Sequence, residues 1–109
     1  MTSIISILAL LFASPATPPA AEPCELQGAV YVENVAGFAD YKVYVEEFES
    51  FAKMNVYKES NPAFANEPGH WYFTEIRSEA DFVIFLEPVQ NFADFSIFYI
   101  DFPTAAGCR

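Results

Sequence analysis

Two series of residues run in step along this chain of 109 amino acids. Six aromatics, Tyr31, Tyr44, Tyr57, Tyr72, Phe85 and Phe98, each sit in a short apolar run. Six alanines, Ala39, Ala52, Ala65, Ala80, Ala93 and Ala106, follow them eight residues later. Both series advance by 13, 13, 15, 13 and 13 residues, so a two-residue insertion just before Trp71 divides the chain three and three. Two independent series that share one irregular step define an internal repeat. Whatever the fold, it uses one small unit six times.

The unit reads as a short strand followed by a short connection. Val30-Tyr31-Val32, Val43-Tyr44-Val45, Val56-Tyr57, Trp71-Tyr72-Phe73, Ile84-Phe85-Leu86 and Ile97-Phe98-Tyr99 are runs of β-branched and aromatic residues, which favour strand over helix. Successive strand side chains point to opposite faces. The six repeat aromatics therefore line one face as core residues, and Val30, Val43, Val56, Trp71, Ile84 and Ile97 line the other. Two apolar faces imply strands covered on both sides.

Each connection reads as one helical turn or a compact loop. Ser60-Asn61-Pro62-Ala63-Phe64 opens on capping residues with a proline at the first helical position, and Phe102-Pro103-Thr104-Ala105-Ala106-Gly107 closes on glycine. The repeat alanine packs where a larger side chain collides, and Phe38, Phe51, Phe64 and Phe92, just ahead of it, are expected to reach the core. The resulting fold class is β-rich, an α+β arrangement only in the sense of single helical turns. A 13-residue unit is short for a parallel crossover and long for a tight hairpin, so the periodicity leaves the topology open.

The N-terminal 21 residues stand apart. Ile4 to Ala13 is an apolar run of signal-peptide length followed by small residues and prolines, and it falls short of the roughly 20 apolar residues of a membrane span. Only the terminal amine precedes it as a positive charge. Cleavage after Ala16, Ala20 or Ala21 suits the small-residue preference. The expected organisation is a signal peptide over 1–21, a short segment over 22–28 containing Cys24, and a repeat-built domain over 29–109. Export to the periplasm or the medium follows. Cys24 and Cys108 then meet an oxidising compartment, where an even pair is most simply a disulfide. A bridge over so long a loop contributes roughly 4–5 kcal/mol in the chain-entropy model.

A formal charge of −10, with Lys42, Lys53, Lys58, Arg77 and Arg109 the only cations, argues against nucleic acid and anionic membranes. It leaves an unknown protein or ligand as partner, with basic targets favoured, and a monomer as the expected state. Few groups suit catalysis. The single histidine, His70, lies at the central insertion and reads as a turn residue, because no Ser or Cys nucleophile is marked out beside it. Asp40, Asp81 and Asp94 follow repeat alanines, where a short carboxylate satisfies backbone N–H groups in a turn. Glu46-Glu47-Phe48-Glu49 reads as a solvated edge or connection and lacks the ligand spacing of a calcium loop. Neither a catalytic set, a cofactor nor a metal site is expected.

Ala39-Asp40-Tyr41-Lys42-Val43-Tyr44-Val45, Glu79-Ala80-Asp81-Phe82-Val83-Ile84-Phe85, the central Trp71-Tyr72-Phe73 and the closing Ala106-Gly107-Cys108-Arg109 resemble the septoil knot family, small and mostly bacterial domains. The resemblance covers about Ala29 to Arg109. Lys53 and Asn66 stand where other units have Asp, and Cys108 where the pattern has an aromatic. The resemblance implies a compact monomer whose backbone forms a seven-crossing torus knot, and it brings no catalytic residues. A Cys24–Cys108 bridge then joins the ends of a threaded chain and closes the knot covalently. The function implied is that of a non-enzymatic structural or binding module. The alternatives are a small enzyme or metal binder using His70 with nearby carboxylates, and a toxin-like or inhibitory secreted protein.

Overall fold

The computed structural model describes residues 22–109, so the leader expected over 1–21 lies outside the described residues. Six strands, β1 (Gly28–Glu33), β2 (Tyr41–Val45), β3 (Met54–Lys58), β4 (His70–Phe73), β5 (Phe82–Leu86) and β6 (Phe95–Ile100), form a closed barrel, and all their pairings are parallel. A two-residue β7 (Gly107–Cys108) adds to β3 antiparallel. A lone 3₁₀ turn precedes each strand.

The alternation along each strand sorts the side chains into layers. Val30, Val43, Val56, Trp71, Ile84 and Ile97 fill the barrel's middle layer and are completely inaccessible to solvent. Two residues earlier on their strands, Met54, Phe82 and Phe95 form a second buried layer, joined by the partly buried Tyr41. Two residues later, Val32, Val45, Phe73 and Tyr99 pack partly buried against the core. Fully burying one such side chain contributes about 1.5–3 kcal/mol, so these layers dominate the favourable side of folding.

The six repeat aromatics take the opposite face and are half-buried beneath the connections, not in the interior. This corrects their expected place as core residues. The lumen of a six-strand barrel is narrow, so branched aliphatics fill its middle layer, where Trp71 is the one large ring, while Phe82, Phe95, Tyr41, Phe73 and Tyr99 close the layers above and below. The Trp71 indole reaches Leu26, whose carbonyl accepts from Nε1 at 3.0 Å. Leu26 is itself buried in the core. The segment 22–28 therefore belongs to the barrel. Its Pro23–Glu25 turn is a seventh copy of the turns at Ala36–Phe38, Glu49–Phe51 and Pro62–Phe64.

Strand order around the barrel is β4-β1-β5-β2-β6-β3-β7, and the β3–β4 pairing closes the ring. Each strand is followed in sequence by the one two places further on, so every connection skips a neighbour. Connections of six to eleven residues suffice, without a crossover helix. Eight residues can extend about 26 Å, and a five-residue strand is only about 17 Å long.

Hydrogen bonds mark where each connection passes the strand it skips. The N–H of Asp40 donates to Val83 on β5 (2.8 Å), Lys53 to Ser96 on β6 (3.0 Å), Asp81 to Ala29 on β1 (2.7 Å) and Asp94 to Lys42 on β2 (2.7 Å). Over β3, the Asn55 amide donates to the Ala105 carbonyl at 3.2 Å. The longest connection, between β3 and β4, meets β7, where a Cβ on Gly69 would lie 2.3 Å from the Gly107 nitrogen. The two-residue insertion thus falls where the chain passes its own C-terminal strand. The seventh passage is made by Cys24 to Gln27 at the start of β4, where Gly69 N–H donates to the Leu26 carbonyl at 3.0 Å.

A path that steps two places round a seven-place ring circles the barrel twice. It lies alternately beneath a connection and above a strand. Cys24 and Cys108 are disulfide-bonded, with Cα atoms 5.3 Å apart across 84 residues of sequence. That bond joins the last passage to the first, so backbone and disulfide together trace a closed, alternating curve of seven crossings.

Candidate functional site

Three groups of side chains are candidates for function, and each follows from the winding. The first is the seam where β3, β4 and β7 meet. His70 opens β4 and is buried; its Nδ1 lies 2.6 Å from Oε2 of Glu59, which follows β3. A carboxylate only accepts, so the imidazole proton sits on Nδ1. The Tyr57↔His70 register across β3 and β4 brings the pair together, and the Tyr57 ring lies 5.9 Å from the imidazole. His70, Glu67, Pro68, Thr104 and Cys108 line a shallow hollow of about 560 Å³ beside it. His70 is thus the first residue of β4 and also closes the turn that leads into it, its N–H donating to the Glu67 carbonyl at 2.9 Å, while its ring is held by Glu59. Among the described residues, no group of three or more His, Cys, Asp or Glu side chains is placed to hold a metal ion.

The second group caps the end of the barrel at which the strands terminate. Lys58 shares a strand face with Val56, and its Nζ lies 4.0 Å from the centroid of Tyr99 and 5.8 Å from that of Phe73. Its stem covers the apolar end while the ammonium reaches water. Burial pushes the Tyr99 phenol up to about 12. At the opposite end Tyr41 stands beside a hollow of about 410 Å³ with Asp40, Asp81 and Leu26. Its phenol is also raised, first by burial and then by the carboxylates of Asp40, Glu22 and Asp94.

The third group is the row of turn tips on the outside of the barrel. Phe38, Phe48, Phe51, Phe64, Phe92 and Phe102 are 61–72 % exposed. The expectation that Phe38, Phe51, Phe64 and Phe92 reach the core is corrected here: they point away from it. In a 3₁₀ turn, side chains three apart eclipse. The residue capping each turn and the residue three later therefore project together, as in Val35 and Phe38, Val89 and Phe92, and Phe48 and Phe51, whose rings stand 6.0 Å apart. The sequence held a signal for this. The same two positions carry Asn61, Glu79 and Ala105 in other copies, and a core position does not accept a charge.

The repeat alanines lie at the ends of these turns; Ala52 and Ala65 are buried and the other four partly so. The repeat aspartates clamp the neighbouring strand and not their own turn. Asp40 Oδ2 accepts from Val83 N–H at 2.8 Å, Asp81 from Ala29 at 2.7 Å and Asp94 from Lys42 at 2.7 Å. Each grips the residue to whose carbonyl its own N–H donates. Where Lys53 replaces the aspartate, Ser96 Oγ instead donates to the Phe51 carbonyl at 3.3 Å. The acidic run lies on the β2–β3 connection as expected, but Glu46 is buried and accepts from Gln90 Nε2 at 2.9 Å.

Compared with known proteins, residues 23–109 match the family described as the 7(1) septoil knot domain. Nothing among the curated proteins or the solved structures matches the chain.

Proposed function

The chain belongs to the septoil knot domain family, and from that scaffold we propose that it is an exported, non-enzymatic binding module that presents side chains to a protein partner. One observation carries this reading. Six phenylalanines stand 61–72 % exposed on turn tips, while the barrel interior is filled by other residues. A monomeric soluble protein seldom leaves so many large apolar side chains in water without a use. Each tip is held by a turn hydrogen bond, and the turns of Phe38, Phe48 and Phe51, Phe92 and Phe102 also by a bond to the strand beneath, so the turn backbones come pre-positioned for binding. The disulfide suits an oxidising compartment and supports export.

The experiment expresses the full chain with its leader, recovers the exported fraction and maps cross-linked neighbours. Phe51→Ser and Phe92→Ser variants of unchanged thermal stability should lose those cross-links. Retention of reduced protein in the cytoplasm, or cross-links indifferent to the tips, overturns the proposal.

A second reading places function at the seam, because His70 is held by the partly buried carboxylate of Glu59 beside a hollow. A His70→Ala variant that keeps its fold but loses turnover or ligand binding would favour it.

A further inference from the structure

The turn tips are not alike around the barrel. Taken in ring order, the turns over β2, β6 and β3 are immediate neighbours. They carry Val89 and Phe92, Phe48 and Phe51, and Phe102. On the far side the turn over β4 (Pro23–Glu25) carries no exposed large apolar residue. The turn over β1 (Arg77–Glu79) offers only Ile76, beside an Arg77–Glu33 ion pair. The turn over β5 adds Val35 and Phe38 and the turn over β7 adds Phe64, so the apolar tips form a ridge from β5 to β7 with the turns over β2, β6 and β3 as its middle. Neighbouring strands lie about 4.8 Å apart at the wall, and tips standing outside it are spaced wider, so the ridge suits an elongated segment.

The charge on the same three connections decides what can lie there. Residues 46–53, 87–94 and 101–106 contain six carboxylates (Glu46, Glu47, Glu49, Glu87, Asp94, Asp101) against one cation, Lys53. Arg109 also reaches this sector, but its guanidinium donates to the Glu49 carbonyl. Glu47 and Asp101 are exposed and lie next to Phe48 and Phe102 in sequence. Rings rimmed by carboxylates repel a second copy of a chain of charge −10 and an anionic bilayer alike. They complement a segment in which lysine or arginine alternates with apolar side chains, whose cations face the carboxylates and the ring faces.

We infer that the sector formed by the turns over β2, β6 and β3 docks a basic, amphipathic polypeptide segment. This rests on the binding-module reading and narrows its partner to one chemistry.

The test uses the oxidised full chain and two synthetic peptides, one of lysine and leucine and its counterpart of glutamate and leucine. The lysine peptide should bind, about tenfold more weakly after Phe51→Ser, Phe92→Ser and Phe102→Ser are combined, and more weakly after Glu47→Lys with Asp101→Lys or in high salt. Equal binding of the glutamate peptide, indifference to the phenylalanine changes, no binding at all, or a self-association that the phenylalanine changes abolish would each overturn the inference. An acidic partner captured through the tips by cross-linking would sink this inference and leave the binding module standing. Cross-links indifferent to the tips would sink the module itself.

Discussion

Gly28 and Asp81 occupy one volume. A Cβ on Gly28 would lie 2.2 Å from Asp81 Oδ2, the oxygen that accepts the Ala29 N–H. Gly28 also has a φ of +109°, in a region that side chains rarely adopt. Gly28→Ala should therefore cost about 2–4 kcal/mol, from backbone strain and loss of the clamp together. Asp81→Ala alone should cost about 1–2 kcal/mol, because that carboxylate is exposed to solvent. The double variant should cost less than the sum, since the clamp can be lost only once. Denaturant midpoints of the four proteins check this, and strict additivity would refute the shared volume.

Ala52 and Phe51 are adjacent and should respond oppositely to substitution. Ala52 is buried where the turn meets the strand, while the Phe51 ring projects into water. Ala52→Leu should cost about 1–3 kcal/mol by overpacking. Phe51→Ser should stay within about 0.5 kcal/mol, as for other surface changes. Thermal unfolding of the oxidised variants measures both. A larger loss at Phe51 would mean that the tips support the fold.

These two residues also show how far the sequence could be read. The repeat, the strands and the turns were legible because alternation and spacing are local properties. Which strand face is interior was not. Val30 and Tyr31 are both apolar, and which of their two faces becomes the interior is decided only when the strands close into a barrel. The order of strands was illegible for a deeper reason. Near-identical units carry no mark of which copy pairs with which, so the two-place step of the winding appears only once the ring is closed. The insertion before Trp71 pointed to the seam, but Glu59 as the partner of His70 depends on the β3–β4 register, a non-local fact. The Cys24–Cys108 pair was legible because two cysteines allow one intramolecular bond.

Tyr99 should make stability fall at alkaline pH. An unfolded tyrosine ionises near 10. Burial raises Tyr99 in the fold to about 12. Between those values the unfolded chain gives up a proton that the native state retains, so its contribution is complete below pH 10 and is lost as pH rises towards 12. Two pH units correspond to about 2–3 kcal/mol. Tyr99→Phe keeps the ring beneath Lys58 and removes the phenol. The stability of the wild type relative to the variant should fall by that amount across this range, and Tyr41, present in both, cancels. Parallel pH profiles would show that the phenol is not buried.

The disulfide should separate unfolding from untying. The curve that runs through residues 24–108 and returns across the Cys24–Cys108 bond is closed, and a closed curve keeps its knot until a bond breaks. Denaturant can dissolve every strand of the oxidised protein and leave all seven crossings in place. Refolding then needs only local rewinding. The reduced chain has two free ends; once untied it must be threaded again before the bond can form, so oxidation has to follow threading in biosynthesis. Oxidised protein held for a long time in denaturant should therefore refold in one fast phase. Reduced protein treated in the same way, and a Cys24→Ser/Cys108→Ser variant, should refold more slowly, with a lag that grows with time in denaturant as more chains untie. Both lose the bridge's contribution of roughly 4–5 kcal/mol as well. Stability alone does not produce a dependence on time spent unfolded, which makes that dependence the decisive readout. Equal refolding kinetics after prolonged denaturation of the oxidised and reduced chains would mean that the covalent circuit holds no threading.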